Sequence, residues 1–164
     1  MWKRENPMSP NSTVPLSEAM QARIGNTDSR LPIVLIVDDE KIIADTLSAI
    51  FNNSGFVAFA AYDAQSALDL AALVPPELLI TDVVMPGMSG IDLAIAIETI
   101  LPNCRILLFS GQASTVDLLE KARTLGHDFT TLTKPVHPTE LLKRASDYLH
   151  LDRSPQGTMS SMKL

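Results

Sequence analysis

The sequence predicts an α/β fold, an open, doubly wound sheet of five parallel strands with five helices. Short runs rich in Val, Ile and Leu, each bounded by polar residues, read as strands buried on both faces, as in a parallel sheet. They fall near residues 33–37, 57–61, 78–82, 105–110 and 129–133. Amphipathic helical patterns alternate with them, which makes repeated βα units. Polar residues close several of the strand runs, and in such a sheet every strand C-terminus lies along one edge, where ligands bind.

The first strand, Ile33-Val34-Leu35-Ile36-Val37, ends on Asp38-Asp39. A helix near 40–53 follows, with Ile43, Leu47, Ile50 and Phe51 forming an inward stripe and Gly55 as a left-handed stop. After the second strand, Asp63 is the expected N-cap of a helix burying Ala64, Ala67, Leu68, Ala71 and Ala72. The third strand closes on Asp82. The helix after Gly90 turns Leu93, Ile97, Ile100 and Leu101 inward, and Pro102 prevents its continuation. The fourth strand closes on Ser110-Gly111 and leads to a helix near 113–124. The fifth precedes Lys134-Pro135, and a last helix starts at Pro138, burying Leu141, Ala145, Tyr148 and Leu149.

The 164 residues suffice for one domain over 32–151, with a flexible Pro/Ser/Asn-rich arm over 1–31 and a disordered tail over 152–164. The net charge of −6 and the scattered Lys and Arg residues exclude the basic footprint of a nucleic-acid binder. The single Cys104 excludes an intramolecular disulfide framework. No apolar run approaches a membrane span, and the N-terminus has no hydrophobic signal region, so a cytoplasmic location is expected. His127, His137 and His150 share no metal spacing and are expected at the surface. Cys104, Met85 and Met88 are expected to pack, and Asp45 and Asp92 to be solvated.

Asp38, Asp39, Asp82 and Lys134 thus converge on one sheet edge, provided strands 1 and 3 are neighbours, as in the flavodoxin-like order 2-1-3-4-5. Crowded carboxylates repel unless a cation joins them, and an oxygen-only set without His or Cys suits Mg²⁺. Three carboxylates, one divalent ion and one ammonium sum to about zero charge, so an arriving phosphoryl group is tolerable there. A carboxylate can attack phosphorus to give an acyl phosphate. Ser110 offers a hydroxyl for a phosphoryl oxygen, and Gly111 leaves the approach open.

The segments Val37-Asp38-Asp39-Glu40, Asp82-Val83-Val84-Met85-Pro86-Gly87-Met88-Ser89-Gly90, Phe109-Ser110-Gly111 and Thr133-Lys134-Pro135 resemble the receiver domain of two-component response regulators. The resemblance is to the stand-alone, chemotaxis-regulator-like kind and runs from about Leu31 to Leu151. It implies that Asp82 is the phosphoacceptor, supplied by a histidine kinase or a histidine phosphotransfer protein. It further implies that Mg²⁺ is held by Asp39 directly, by Asp38 mainly through water, by Asp82 and by the backbone carbonyl of Val84. Lys134 would pair with the phosphoryl group, Ser110 would swing toward it, and the Lys134-Pro135 bond is often cis in this family. The chemistry would be confined to the protein's own Asp82, which makes it a signalling protein and not an enzyme. Output would pass to a downstream protein through the helix 4–strand 5–helix 5 face, from a monomer or weak homodimer, without nucleic acid or membrane contact within this chain.

One family feature is missing. The aromatic residue usual three positions before the lysine is replaced by Thr131, so altered activation coupling is expected. Phe129 shares the face of Thr131 on an alternating strand and is a candidate replacement, unless a bulge moves it away. The rival function is a docking domain that is never phosphorylated. An aspartyl-phosphate phosphohydrolase would need an acid/base aspartate two residues after the nucleophile; Asp82 has Val84 there and Asp38 has Glu40.

Overall fold

A computed structural model of the chain describes residues 30–111 and 115–150, with the side chain of residue 150 excepted. The expected arm, apart from its last two residues, and the expected tail lie outside the described residues. Five strands, β1 (Ile33–Val37), β2 (Val57–Ala61), β3 (Leu78–Asp82), β4 (Arg105–Ser110) and β5 (Thr130–Thr133), alternate with α1 (Lys41–Asn52), α2 (Ala64–Leu73), α3 (Gly90–Ile100), α4 (Thr115–Thr124) and α5 (Pro138–His150). The strands form one parallel sheet in the order β2-β1-β3-β4-β5, which is the flavodoxin-like arrangement. β5 begins at Thr130, so Phe129 stands just before it.

Strand alternation divides the core into two layers. Val34, Ile36, Leu78, Ile80, Leu107, Phe109 and Leu132 pack with Phe51 of α1 and with Leu141 and Ala145 of α5. Leu35, Val37, Leu79, Ile106 and Leu108 pack on the other side with residues of α2, α3 and α4. Both sheet faces are therefore covered, which is why these strands read as continuous apolar runs.

The helix ends form for local reasons. The Asp63 side chain accepts from the Ser66 N–H at 2.7 Å and caps α2. Ser89 caps α3 by accepting from the Asp92 N–H at 3.1 Å, while its own hydroxyl donates to the Asp92 carboxylate. Asp92 is thus a capping partner and not simply a solvated residue. Beyond α1, Gly55 adopts φ +89°, and the Phe56 N–H returns to the Phe51 carbonyl at 3.2 Å.

Several expected faces are corrected. In α1 the buried residues are Ala44 and Phe51, whereas Ile43, Leu47 and Ile50 are half-buried, because α1 covers only an outer part of the sheet. Ala72 is exposed, since the inner stripe of α2 runs through Ala64, Ala67 and Ala71. Ile100 is exposed on the last turn of α3, while Ile91 and Ala94 join Leu93 and Ile97 inside. Met85 packs but Met88 is exposed. His127 is half-buried, with its Nδ1 2.6 Å from Glu98 and its ring stacked on Phe129.

Candidate functional site

The register brings the chemistry together. Val37 pairs with Thr81, Asp82 with Phe109, and Ser110 with Thr133, so the ends of four strands are level. Asp38, Asp82 and Lys134 continue the alternation of Val34 and Ile36, of Leu78 and Ile80, and of Leu132, toward the α1 and α5 side. One carboxylate oxygen from each of Asp38, Asp39 and Asp82 lies within 4.8 Å of the others. The Lys134 ammonium stands 3.3 Å from Asp38 Oδ2 and 3.2 Å from Asp82 Oδ2. It also lies 5.8 Å above the Phe109 ring, within cation–π range.

Each member of the trio has its own environment. Asp38 is buried, and its Oδ1 accepts the Glu40 N–H at 2.9 Å, which turns the first residues after β1 into the N-terminus of α1. Asp39 is exposed. The Asp82 side chain is 16% exposed, so it is recessed yet reachable from solvent. Its Oδ1 lies 3.4 Å from the Val84 N–H. Val84 itself is exposed in the loop after β3.

Burial is the largest influence on Lys134 and pushes its pKa down. The Asp38 and Asp82 carboxylates together outweigh burial and hold it above the ordinary lysine value. The ammonium is thus firmly charged, yet one positive charge faces three carboxylates. The pocket keeps an excess of negative oxygen suited to a hard divalent ion.

Ser110 ends β4 at the same edge, and its hydroxyl is hydrogen-bonded to the Thr115 hydroxyl in the first turn of α4. A Cβ placed on Gly111 would meet the Lys134 side chain first, at 3.6 Å, an ordinary van der Waals contact. The Lys134-Pro135 peptide is cis, and the Lys134 N–H donates to the Ser110 carbonyl at 2.9 Å. All the residues predicted for the site therefore gather at one edge. Phe129 does not: it lines a cavity of about 280 Å³ with Cys104, Arg105 and Tyr148, where β4 and β5 begin. Thr131 is exposed.

Sequence reasoning missed three neighbours. Thr115 is one; its only signal was a hydroxyl five residues after Ser110, near the start of a helix. The others lie beside the acidic pocket, where the Tyr62 hydroxyl donates to Asp45 at 2.6 Å and the Lys41 ammonium sits 5.2 Å above the Tyr62 ring. Asp45 is engaged there and not merely solvated.

Residues 34–146 match the family described as response regulator receiver domain. The chain belongs to that family. This receiver domain is 30% identical over 118 residues to sporulation initiation phosphotransferase F of Bacillus subtilis, covering 72% of this chain and 94% of that protein. It is 33% identical to the regulatory protein VanR of Enterococcus faecium over 71% of this chain, but spans 49% of that regulator's length. Among solved structures, a CheY-like receiver domain protein from Methanospirillum hungatei superposes with a TM-score of 0.68 at 26% identity, covering 76% of this chain and 98% of that one. The Vibrio cholerae chemotaxis protein CheY4 gives 0.64 at 26% identity, over 73% and 99% of the two chains. The protein is thus a receiver domain of two-component signalling, with a CheY-like sheet order. Among the described residues, no helix is long and apolar enough to cross a membrane.

Proposed function

We propose that this receiver domain takes a phosphoryl group onto Asp82 from a histidine kinase or histidine phosphotransfer protein, and thereby changes the surface it offers to a downstream protein. The observation that carries this reading is a reachable Asp82 carboxylate with the Lys134 ammonium at 3.2 Å and two further carboxylates beside it. An Asp82 oxygen attacks phosphorus, the bond from phosphorus to the donor nitrogen breaks, and its electron pair stays on the imidazole. The product is an acyl phosphate. Lys134 is placed to hold charge that develops on the phosphoryl oxygens, in a pocket already organised before the donor arrives.

The oxygen-only donor set fits Mg²⁺, which Asp38, Asp39, Asp82 and the Val84 carbonyl would hold. When bound, the ion supplies positive charge against both the carboxylates and the phosphoryl oxygens. The proposed output face is α4–β5–α5, where Val116, Leu118 and Leu125 leave large apolar side chains exposed. A cytoplasmic setting, among kinases and phosphotransfer proteins, belongs to the same proposal.

Two measurements test it. Incubation with Mg²⁺ and acetyl phosphate is expected to add one phosphoryl mass, stable in acid and labile in base, that Asp82→Asn lacks. An absence of any mass gain in the wild type would favour the docking module instead. Mg²⁺ at a hundred times its dissociation constant is expected to stabilise the fold by ~2.7 kcal/mol. Asp39→Asn should lose most of that gain, yet melt above the wild type without Mg²⁺, because it removes one of three repelling charges. Equal Mg²⁺ stabilisation of the two proteins would remove Asp39 from the ion site.

A further inference from the structure

A tyrosine and a lysine at the rim of the acidic pocket have no part in the chemistry proposed above. β2 ends at Ala61, whose carbonyl accepts the Asp38 N–H at 3.2 Å, so Tyr62 follows directly on the turn that carries Asp38 and Asp39. Lys41 opens α1 two residues beyond Asp39, and both are exposed. The half-buried Tyr62 ring holds the Lys41 ammonium 5.2 Å from its centroid, while its hydroxyl donates to Asp45 at 2.6 Å. Lys41 and Asp45 are four residues apart and share one face of α1. A single ring thus keeps a cation on its face and an anion at its hydroxyl, and the two charges cancel. Without that restraint the lysine has a stronger attraction close by. The pocket sets three carboxylates against the one ammonium of Lys134. Asp39 is the exposed carboxylate of the three, and the flexible four-carbon stem of a lysine two residues away can bring its ammonium to it.

We propose that Tyr62 keeps Lys41 out of the acidic pocket, so that the carboxylates stay open to Mg²⁺. This rests on the reading of Asp38, Asp39 and Asp82 as the ligands of that ion. An ammonium beside Asp39 would weaken the negative potential that draws a divalent cation, and would engage an oxygen the cation needs. A cation–π contact at an exposed ring is modest, but so is the pull of an exposed carboxylate that water and salt screen. The Tyr62 hydroxyl adds to the ring's hold, because it fixes the Asp45 carboxylate on the same face of α1 as the lysine. Tyr62 therefore decides where a mobile charge at the rim settles. It acts on the ion site only through Lys41, so it is a positioning residue.

The test titrates the whole chain with Mg²⁺ and follows it by NMR, as wild type, Tyr62→Phe, Tyr62→Leu, Lys41→Met, and Tyr62→Leu combined with Lys41→Met. The ε-methylene resonances of Lys41 report its place directly. The ring current should shift them upfield in the wild type and in Tyr62→Phe, which keeps the ring, and the shift should vanish in Tyr62→Leu. Tyr62→Leu is expected to bind Mg²⁺ roughly two- to fivefold more weakly, the scale of one exposed cation–π contact. Lys41→Met should restore that loss in the double variant, yet change the affinity by less than about twofold where Tyr62 is present. A merely structural defect at Tyr62 would not be repaired by removing a lysine. Should Tyr62→Leu not fold, Tyr62→Gln, which also lacks the aromatic face, takes its place. Unshifted Lys41 resonances in the wild type, undiminished Mg²⁺ affinity in Tyr62→Leu, or no recovery in the double variant overturns the restraint, while Mg²⁺ binding by the wild type leaves the ion site standing. A wild type whose resonances at Asp38, Asp39 and Asp82 do not respond to Mg²⁺ overturns both, and the wild-type titration tells the two failures apart.

Discussion

Gly90→Ala is expected to destabilise the domain by ~3 kcal/mol or more, which lowers its melting temperature by roughly 10 °C. A Cβ at this position would lie 1.8 Å from the Asp82 carbonyl oxygen and 2.8 Å from its carbonyl carbon. Those are backbone atoms of β3, so no side-chain rotation relieves the clash. The chain between them is already fixed, because the Gly90 N–H donates to the Val83 carbonyl at 2.9 Å and the Val83 N–H to the Phe109 carbonyl at 2.9 Å. Relief must come from moving α3 off the sheet or from bending the chain at Asp82. Either displaces the proposed acceptor, so phosphoryl uptake should fall even at temperatures where the variant remains folded. Thermal melts and the acetyl phosphate reaction check the two halves. A variant that matches the wild type in both would mean that α3 can retreat at no cost.

Lys134→Met is expected to lower phosphoryl uptake by roughly a hundredfold or more, the usual effect of removing one positioned charge from a transferring group. It should also weaken the fold by ~1–3 kcal/mol, because buried Asp38 then faces Asp39 and Asp82 with no ammonium between them. The pH dependence has a definite sign. The Lys134 pKa is raised from 10.5, so the stabilisation is complete below about that value and is lost as pH rises through the higher folded value. The stability difference between wild type and Lys134→Met should be flat from neutrality to about pH 10 and shrink above it. A difference already falling at neutral pH would mean that the pairing does not operate. Mg²⁺ should restore part of the lost stability, since it offsets the same carboxylates.

Strand positions were legible in the sequence because a two-sided parallel sheet leaves continuous apolar runs, and four of the five runs here stop at or just before a residue proposed for the site. The convergence of Asp38, Asp82 and Lys134 followed from parallel strand direction together with the order β2-β1-β3-β4-β5, which sets β1 beside β3. Helix faces were less legible. Residues such as Ala72 and Ile100 fit a 3.6-residue period, but the width of each buried stripe depends on how far the helix overlaps the sheet. Ala44 was overlooked because a small residue gives a weak periodic signal, although it is fully buried. His127 lacked any metal spacing, yet it is engaged by Glu98, 29 positions away in sequence. Thr115 was hidden for the same reason. Its contact with Ser110 depends on how the chain enters α4, which no periodic pattern encodes.

Reduction of the phosphorylated protein with borohydride, followed by peptide sequencing in a mass spectrometer, tests the central claim most directly. The acyl phosphate is converted to homoserine wherever it forms. Homoserine is predicted at position 82 and nowhere else, in amounts that require Mg²⁺. Homoserine at 38 or 39, or unmodified aspartate at 82 in protein that has gained the phosphoryl mass, would contradict it.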